Sequence, residues 1–405
     1  MDLLLRDVRP LGAAALDLLV RAGRIAALGP RLAAVPGVPQ EQGGGALLLP
    51  GLVEAHTHLD KTNWGLPWYR NEVGPRLEDR IANERRWRAE TGHDAGAQSL
   101  RLARAFLAQG TTRLRTHVDI DTDAGLRHLH AVLATRETLR ELMEIQVVAF
   151  PQSGLLARPG TAELLDEALK LGADVLGGLD PQAIDGDAVA SLDLLFGLAA
   201  RHGKPLDIHL HESGEEGART LDAILDRTET LGMQGRVAIS HCFCLGDVAP
   251  ARRAALLERM ARLRMSVITT GSASRPVPPL QECVAAGVLV AAGNDGIRDT
   301  WTPYGRPDML ERAMLVGLRN NLRRDDEIAL AFDAVTHAGA RVCGCADYGL
   351  EVGCRADLVL VQAQNVAEAV VARPARKLVV AGGRIVARGG AQQAAHPAST
   401  NYTYP

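Results

Sequence analysis

No block of like charge interrupts this chain. Its 45 basic and 48 acidic residues are spread along 405 positions for a net charge of −3. That balance offers no cationic stripe to a phosphate backbone, so no nucleic-acid partner is expected. No apolar run approaches the roughly 18 residues of a membrane span, and no membrane partner is expected either. The opening "MDLLLRD" lacks the positive flank and long apolar region of a secretory signal, which points to the cytoplasm. Cysteines are few, at six. The pairs Cys242/Cys244 and Cys343/Cys345 have C-x-C spacing rather than the C-x2-C of zinc sites. They read, with Cys283 and Cys354, as reduced and mostly buried thiols.

What is present is a large apolar fraction, 47% of residues, enough for one α/β barrel with a small accessory domain. Both ends read as short strands with Gly/Pro turns: "DLLLRDVRP" and "ALDLLVRAGRIAALGP" at the start, "ADLVLVQAQ" and "KLVVAGGRIVARGG" near the finish. Isolated hairpins need partners, so the expectation is a small β-sandwich domain built from residues 1–50 and 346–405 together. Between them, over residues 51–345, β-rich runs alternate with helical segments, the pattern of βα units and a parallel sheet. Eight candidate strands are present: "LLLPGLVEAHTH", "TTRLRTHVDI", "IQVVAFPQ", "ADVLGGLDP", "PLDIHLHE", "RVAISHCF", "MSVITTGSA" and "VLVAAGND". Eight units predict a (β/α)8 TIM-type barrel. The His, Asp, Glu and Gln residues gather at the C-terminal ends of these runs, where such barrels build their sites.

His56 and His58 end the first barrel strand two residues apart, which puts both imidazoles on one face. His209 and His211 repeat the spacing at the end of the fifth strand, and Asp295 ends the eighth. Three strand ends thus offer imidazole or carboxylate to one barrel mouth, a donor set suited to a divalent transition metal with an open position for water. His117 and Asp119, with Arg115, share a face of the second strand and read as an internal hydrogen-bonded network near that site. The H-x-E with P-C-x-x-C layout of the nucleoside zinc deaminases is missing.

The motifs "PGLVEAHTHLDKT", "RTHVDID", "QVVAFPQSG", "HLHESG", "SHCFC" and "NDGIRDTWTPYG", in this order over nearly the whole chain, resemble the amidohydrolase superfamily. The resemblance is to its branch of cytosine deaminases and N-isopropylammelide isopropylaminohydrolase. It implies one divalent ion per chain, Zn2+ or Fe2+, on His56, His58, His209 and Asp295. It implies Glu212 as the proton shuttle, His241 as the residue orienting or deprotonating the attacking water, and Asp295 as a ligand that also exchanges a proton. Gln152 falls at the position that reads the polar edge of a heterocycle, and Phe150 and Trp301 fall at pocket positions. His211 could by geometry face the metal or the substrate, and is expected on the substrate side or just behind the ligands. The chemistry implied is hydrolytic deamination of a small nitrogen heterocycle, cytosine-like in the first reading. The alternative is an N-substituted aminotriazine of the isopropylammelide type.

The pattern also departs from the cytosine type. Where that branch places a second aspartate after the ligand aspartate, this chain has Gly296, read as room for a larger substituent on the departing nitrogen. "HLH" follows the isopropylammelide type, and Glu212 the cytosine type. A two-metal cyclic-amide hydrolase on the same barrel would need a bridging lysine at the fourth strand's end. "ADVLGGLDP" has none, and Lys61 is wrongly placed for that role. A barrel that only binds a ligand would not need the acid and the water-orienting histidine. A homo-oligomer is compatible with the sequence, though no motif specifies one.

Overall fold

The computed structural model describes residues 1–74 and 76–392. Positions 393–405 of the expected C-terminal β segment therefore lie outside the described residues. The described strands form two eight-stranded sheets. The chain opens with β1 (Leu3–Pro10), β2 (Leu16–Arg21), β3 (Arg24–Gly29) and β4 (Gln40–Pro50) in the first sheet. It then builds the second from β5 (Leu52–Thr57), β6 (Thr111–Asp119), β7 (Glu144–Phe150), β8 (Val175–Leu179), β9 (Leu206–His209), β10 (Val237–Ser240), β11 (Ser266–Thr269) and β12 (Leu289–Ala292). It returns to the first with β13 (Leu358–Val361), β14 (Arg376–Ala381), β15 (Arg384–Arg388) and β16 (Ala391–Gln392).

The two chain ends meet along an antiparallel seam, with Leu358 of β13 opposite Pro50 of β4 and Leu360 opposite Leu48. The apolar runs at this seam are continuous because both faces of the sheet are covered. Ala46, Leu48, Leu358 and Leu360 join Leu5, Val20, Ile25 and Val380 in a core private to the terminal sheet. Their alternates Leu47, Leu49, Val359 and Val361 belong to the main core with the barrel strands and helices.

In the second sheet each strand from β5 to β12 runs parallel to its neighbour. Helices such as Ala95–Ala108, Thr161–Lys170 and Gly214–Thr230 lie between strands. The ring closes from β12 to β5. Thr57 bridges Asp295, and the Asp295 N–H donates to the His56 carbonyl at 2.7 Å. Gly293 lets the two strands approach this closely, because a Cβ there would stand 2.5 Å from the His56 backbone nitrogen and oxygen. The fold is thus a TIM-type barrel with a β domain made by both termini. No helix among the described residues is long and apolar enough to cross a membrane.

One expected strand is two. "LLLPGLVEAHTH" breaks between Pro50 and Leu52, its first half in the terminal sheet and its second in the barrel. Pro50 has no N–H for a ladder, and Gly51 turns its own N–H to the Asp357 carbonyl. The apolar texture is unbroken because both halves are buried, so hydrophobicity alone does not mark the crossing.

Candidate metal centre

The candidate ligands and their nearest polar neighbours lie at or just beyond the ends of barrel strands. Four such residues carry φ values in the left-handed region that glycine favours: Asp180 at 35°, His241 at 67°, Cys242 at 48° and Asp295 at 64°. Such conformations cost of order 1–3 kcal/mol each and cluster where side chains must be aimed.

His56, His58 and His209 have ring nitrogens that lie mutually within 4.8 Å, and His56, His241 and Asp295 form a second overlapping group. His58 Nε2 stands 3.1 Å and His56 Nε2 3.6 Å from Asp295 Oδ1. Donor atoms sharing one ion at about 2.0–2.2 Å are separated by roughly 3.0–3.5 Å, so these spacings suit a common ion. His56 Nε2 is buried and has no hydrogen-bond partner in the protein, the condition of a lone pair kept for a ligand.

The opposite nitrogen of His56 explains that lone pair. Ser240 Oγ donates its single hydrogen to Asp207 Oδ1 at 2.6 Å. Its 2.8 Å contact with His56 Nδ1 must therefore be one in which the serine accepts. The proton sits on Nδ1 and Nε2 is left bare. Arg115 in turn donates to Asp207 Oδ2 at 2.8 Å. Burial first, then neighbouring imidazoles, keeps His209 and His241 well below the ordinary imidazole range. They are neutral and able to coordinate. Burial would raise Asp295, but His56 and His58 hold its carboxyl well below the usual range.

Two other groups could be taken for ion sites. His56, His117 and Asp207 are close together, yet Asp207 is already committed to Arg115 and Ser240. His58, Asp60 and Asp119 also approach one another. Their charge is met by Lys61 and Arg88 on Asp119 and by His128 on Asp60 at 2.8 Å. In the set around Asp295, His56 Nε2 and both His241 ring nitrogens have no partner in the protein.

The remaining expected site residues divide. His241 joins the centre, its Nε2 3.9 Å from Asp295 Oδ2 and both ring nitrogens without partners. His211 stacks on His241 with ring centroids 4.2 Å apart. Asp180, which the sequence reading did not single out, takes the His211 backbone N–H at 2.6 Å and pairs with its Nδ1 at 2.7 Å. Burial would lower His211, but Asp180 outweighs it and the net shift is upward.

Glu212 is spent elsewhere. Its Oε1 accepts from the backbone N–H groups of Gln182 and Ala183 at 2.9 and 3.0 Å, and Oε2 accepts from the Thr220 hydroxyl. Phe150 is buried with its ring 4.2 Å from that of His209. Trp301 Nε1 donates to Glu84 Oε2 at 2.8 Å, and its ring lies 5.5 Å beneath Lys61 Nζ. Gln152, nearly buried, accepts from Lys61 Nζ at 2.6 Å. His117 lies against His56 with ring centroids 4.1 Å apart. It reaches toward Asp207 at 3.6 Å, whereas Asp119 turns away to Lys61 and Arg88.

The space beside Gly296 is filled. A Cβ at this position would stand 2.0 Å from Asp299 Oδ2, so the glycine makes room for Asp299 and not for a substrate substituent. That corrects the sequence reading. Burial raises the Asp299 carboxyl to about 7, while the Trp301 and Thr302 N–H groups donate to it at 2.8 and 2.9 Å.

Comparison with known proteins agrees with this architecture. A model of the amidohydrolase family matches residues 44–387. The solved N-isopropylammelide isopropylaminohydrolase of Burkholderia multivorans is 63% identical with a TM-score of 0.95, covering 97% of this chain and all of that one. The N-isopropylammelide isopropyl amidohydrolase of Pseudomonas sp. strain ADP is 32% identical over 85% of this chain and 87% of its own length. The 5-methylcytosine deaminase of Klebsiella pneumoniae, solved with 5-fluorocytosine, is 26% identical with a TM-score of 0.83, covering 98% of this chain and all of that one.

Proposed function

This chain belongs to the amidohydrolase family, and on that premise we propose that it is a metal-dependent aminohydrolase acting on an N-alkyl aminotriazine of the ammelide type. The reaction replaces the exocyclic C–N bond by C–O, with water as the oxygen donor and a free amine as the second product. The observation that carries this reading is the 63% identity at a TM-score of 0.95 to an N-isopropylammelide isopropylaminohydrolase. It favours the N-substituted triazine over the cytosine-like substrate expected first. The 26% identity to a 5-methylcytosine deaminase supports the shared chemistry of amine release more than the shared ring.

His56, His58, His209 and Asp295 would hold one divalent ion, Zn2+ or Fe2+. When bound, it would supply Lewis acidity and a water of lowered pKa. The protein's own groups do the rest. Asp295 Oδ2, with the neutral His241 Nε2 3.9 Å away, takes a proton from the attacking water and returns it to the departing amine. His211, held at Nδ1 by Asp180, gives a proton to the ring nitrogen as water attacks and recovers it as the C–N bond breaks. Glu212 anchors the turn at Gln182–Ala183 instead of carrying the proton, since both of its carboxylate oxygens are engaged.

A panel of N-isopropylammelide, cytosine, isocytosine and creatinine, assayed for isopropylamine or ammonia release, tests the reading. Isopropylamine release from the triazine should exceed turnover of the other three. Turnover of cytosine with none of N-isopropylammelide would overturn it.

A further inference from the structure

Lys61 lies at the mouth of the barrel, 2% exposed, and an ammonium can only donate hydrogen bonds. Its hydrogens donate to Gln152 Oε1 at 2.6 Å and Asp119 Oδ1 at 3.3 Å, and Glu84 Oε1 stands 3.7 Å away as an ion-pair partner. The Trp301 ring closes a further side at 5.5 Å. Burial alone would lower the lysine, but Asp119 and Glu84 outweigh it and keep the side chain charged. A charged donor on one end of the Gln152 amide permits a single orientation, because the reverse would set N–H against N–H. The amide nitrogen, with two hydrogens, is therefore the end left over, and it makes no hydrogen bond to the described residues.

We propose that Lys61 is a specificity-determining positioning residue. By locking Gln152 as a donor-only amide, it selects heterocycles that present a hydrogen-bond acceptor, a ring carbonyl or an unprotonated ring nitrogen, at the edge facing Gln152. This rests on the reading of the site as an aminohydrolase with Gln152 toward the ring. An unlocked glutamine could rotate and serve donor and acceptor edges alike. The locked one meets an exocyclic amino group with donor against donor. An oxo-rich triazine fits this edge, and the same ring with one oxo group exchanged for amino does not.

The test compares N-isopropylammelide with its analogue in which one ring oxo group is replaced by amino. The parent enzyme should favour the oxo compound by about 10- to 100-fold in kcat/KM, mostly through KM, the factor that one unmade buried hydrogen bond is worth. Lys61→Met keeps the length of the side chain and removes the charge, and should bring the ratio to within about 3-fold of unity. Gln152→Glu keeps the contact with Lys61 and offers only acceptors, and should reverse the preference, a result that stands even where Lys61→Met does not fold. A preference for the amino analogue in the parent, or a ratio unmoved by both substitutions, overturns the proposal. Calorimetric binding of cyanuric acid against ammelide reads the same edge without turnover. An enzyme that binds the trione preferentially but releases no amine would contradict the function and leave the edge selection supported.

Discussion

Gly296→Ala tests whether the space beside Asp295 belongs to the substrate or to the protein. The added Cβ would lie 2.0 Å from Asp299 Oδ2 and 2.9 Å from its Cγ, well inside the roughly 3.5 Å of van der Waals contact. The carboxylate has no cheap escape. Asp299 is 3% exposed, and it holds the Trp301 and Thr302 N–H groups at 2.8 and 2.9 Å. Either the loop shifts, an overpacking cost of about 1–3 kcal/mol, or the carboxylate rotates and leaves two N–H groups unpaired at about 1–3 kcal/mol each. A destabilisation of about 2–3 kcal/mol is expected by denaturant unfolding. Asp299→Ala alone should cost a similar amount. The double variant should cost little more than Asp299→Ala, because the clash and its partner leave together. The coupling in this cycle is expected at about 1–3 kcal/mol. Additive costs, or a stable Gly296→Ala enzyme whose only defect is a raised KM, would refute the reasoning and return the position to the substrate.

Other perturbations separate the roles at the mouth. Ser240→Ala removes the acceptor of the His56 Nδ1 proton and Asp207→Asn the carboxylate that orients that serine; each should weaken metal affinity about 10- to 100-fold, read by competition with a chromogenic chelator. His211→Asn should lower kcat by about 10²- to 10⁴-fold, with Asp180→Asn between it and the parent; loss through KM alone would contradict a proton-carrying role. Glu212→Gln should retain most of the parent kcat and show its cost in thermal stability; a loss as deep as that of His211→Asn would restore the glutamate as the shuttle. Asp299 has a folded pKa of about 7 above its unfolded value, so its contribution is largest at low pH and declines as pH rises from about 4 to about 7. By linkage the decline is up to roughly 4 kcal/mol, and Asp299→Asn should flatten the stability profile over that window.

The barrel was legible because its signals are periodic and local. Buried parallel strands read as apolar runs, helices separate them, and the residues that face the mouth sit where each run ends. Spacing also brought His56 with His58, and the three strand ends brought Asp295 and His209 to them. What spacing does not carry is which oxygen a side chain has already used. Glu212 reads in the sequence as an acid beside the site, and its contacts with the Gln182 and Ala183 N–H groups and the Thr220 hydroxyl follow from no spacing. Asp180 carried a signal that went unread, since it closes the fourth strand's run just as Asp295 closes the eighth's.

Lys61 and Gly296 show a different limit. Lys61 was weighed only as a metal bridge, for which it is wrongly placed, and Gly296 only as room for a substituent. Both act through a partner whose approach depends on loop geometry. Lys61 meets Gln152 across a separation of 91 residues, and no periodicity links a residue after β5 to one after β7. Gly296 and Asp299 are only three residues apart, yet they meet because the loop folds back on itself, with the Asp299 N–H donating to the Thr302 carbonyl at 3.0 Å. An absent side chain is therefore weak evidence of room for a ligand. Close packing favours filling such space from within, and here the filling group is a carboxyl that two backbone N–H groups hold in place.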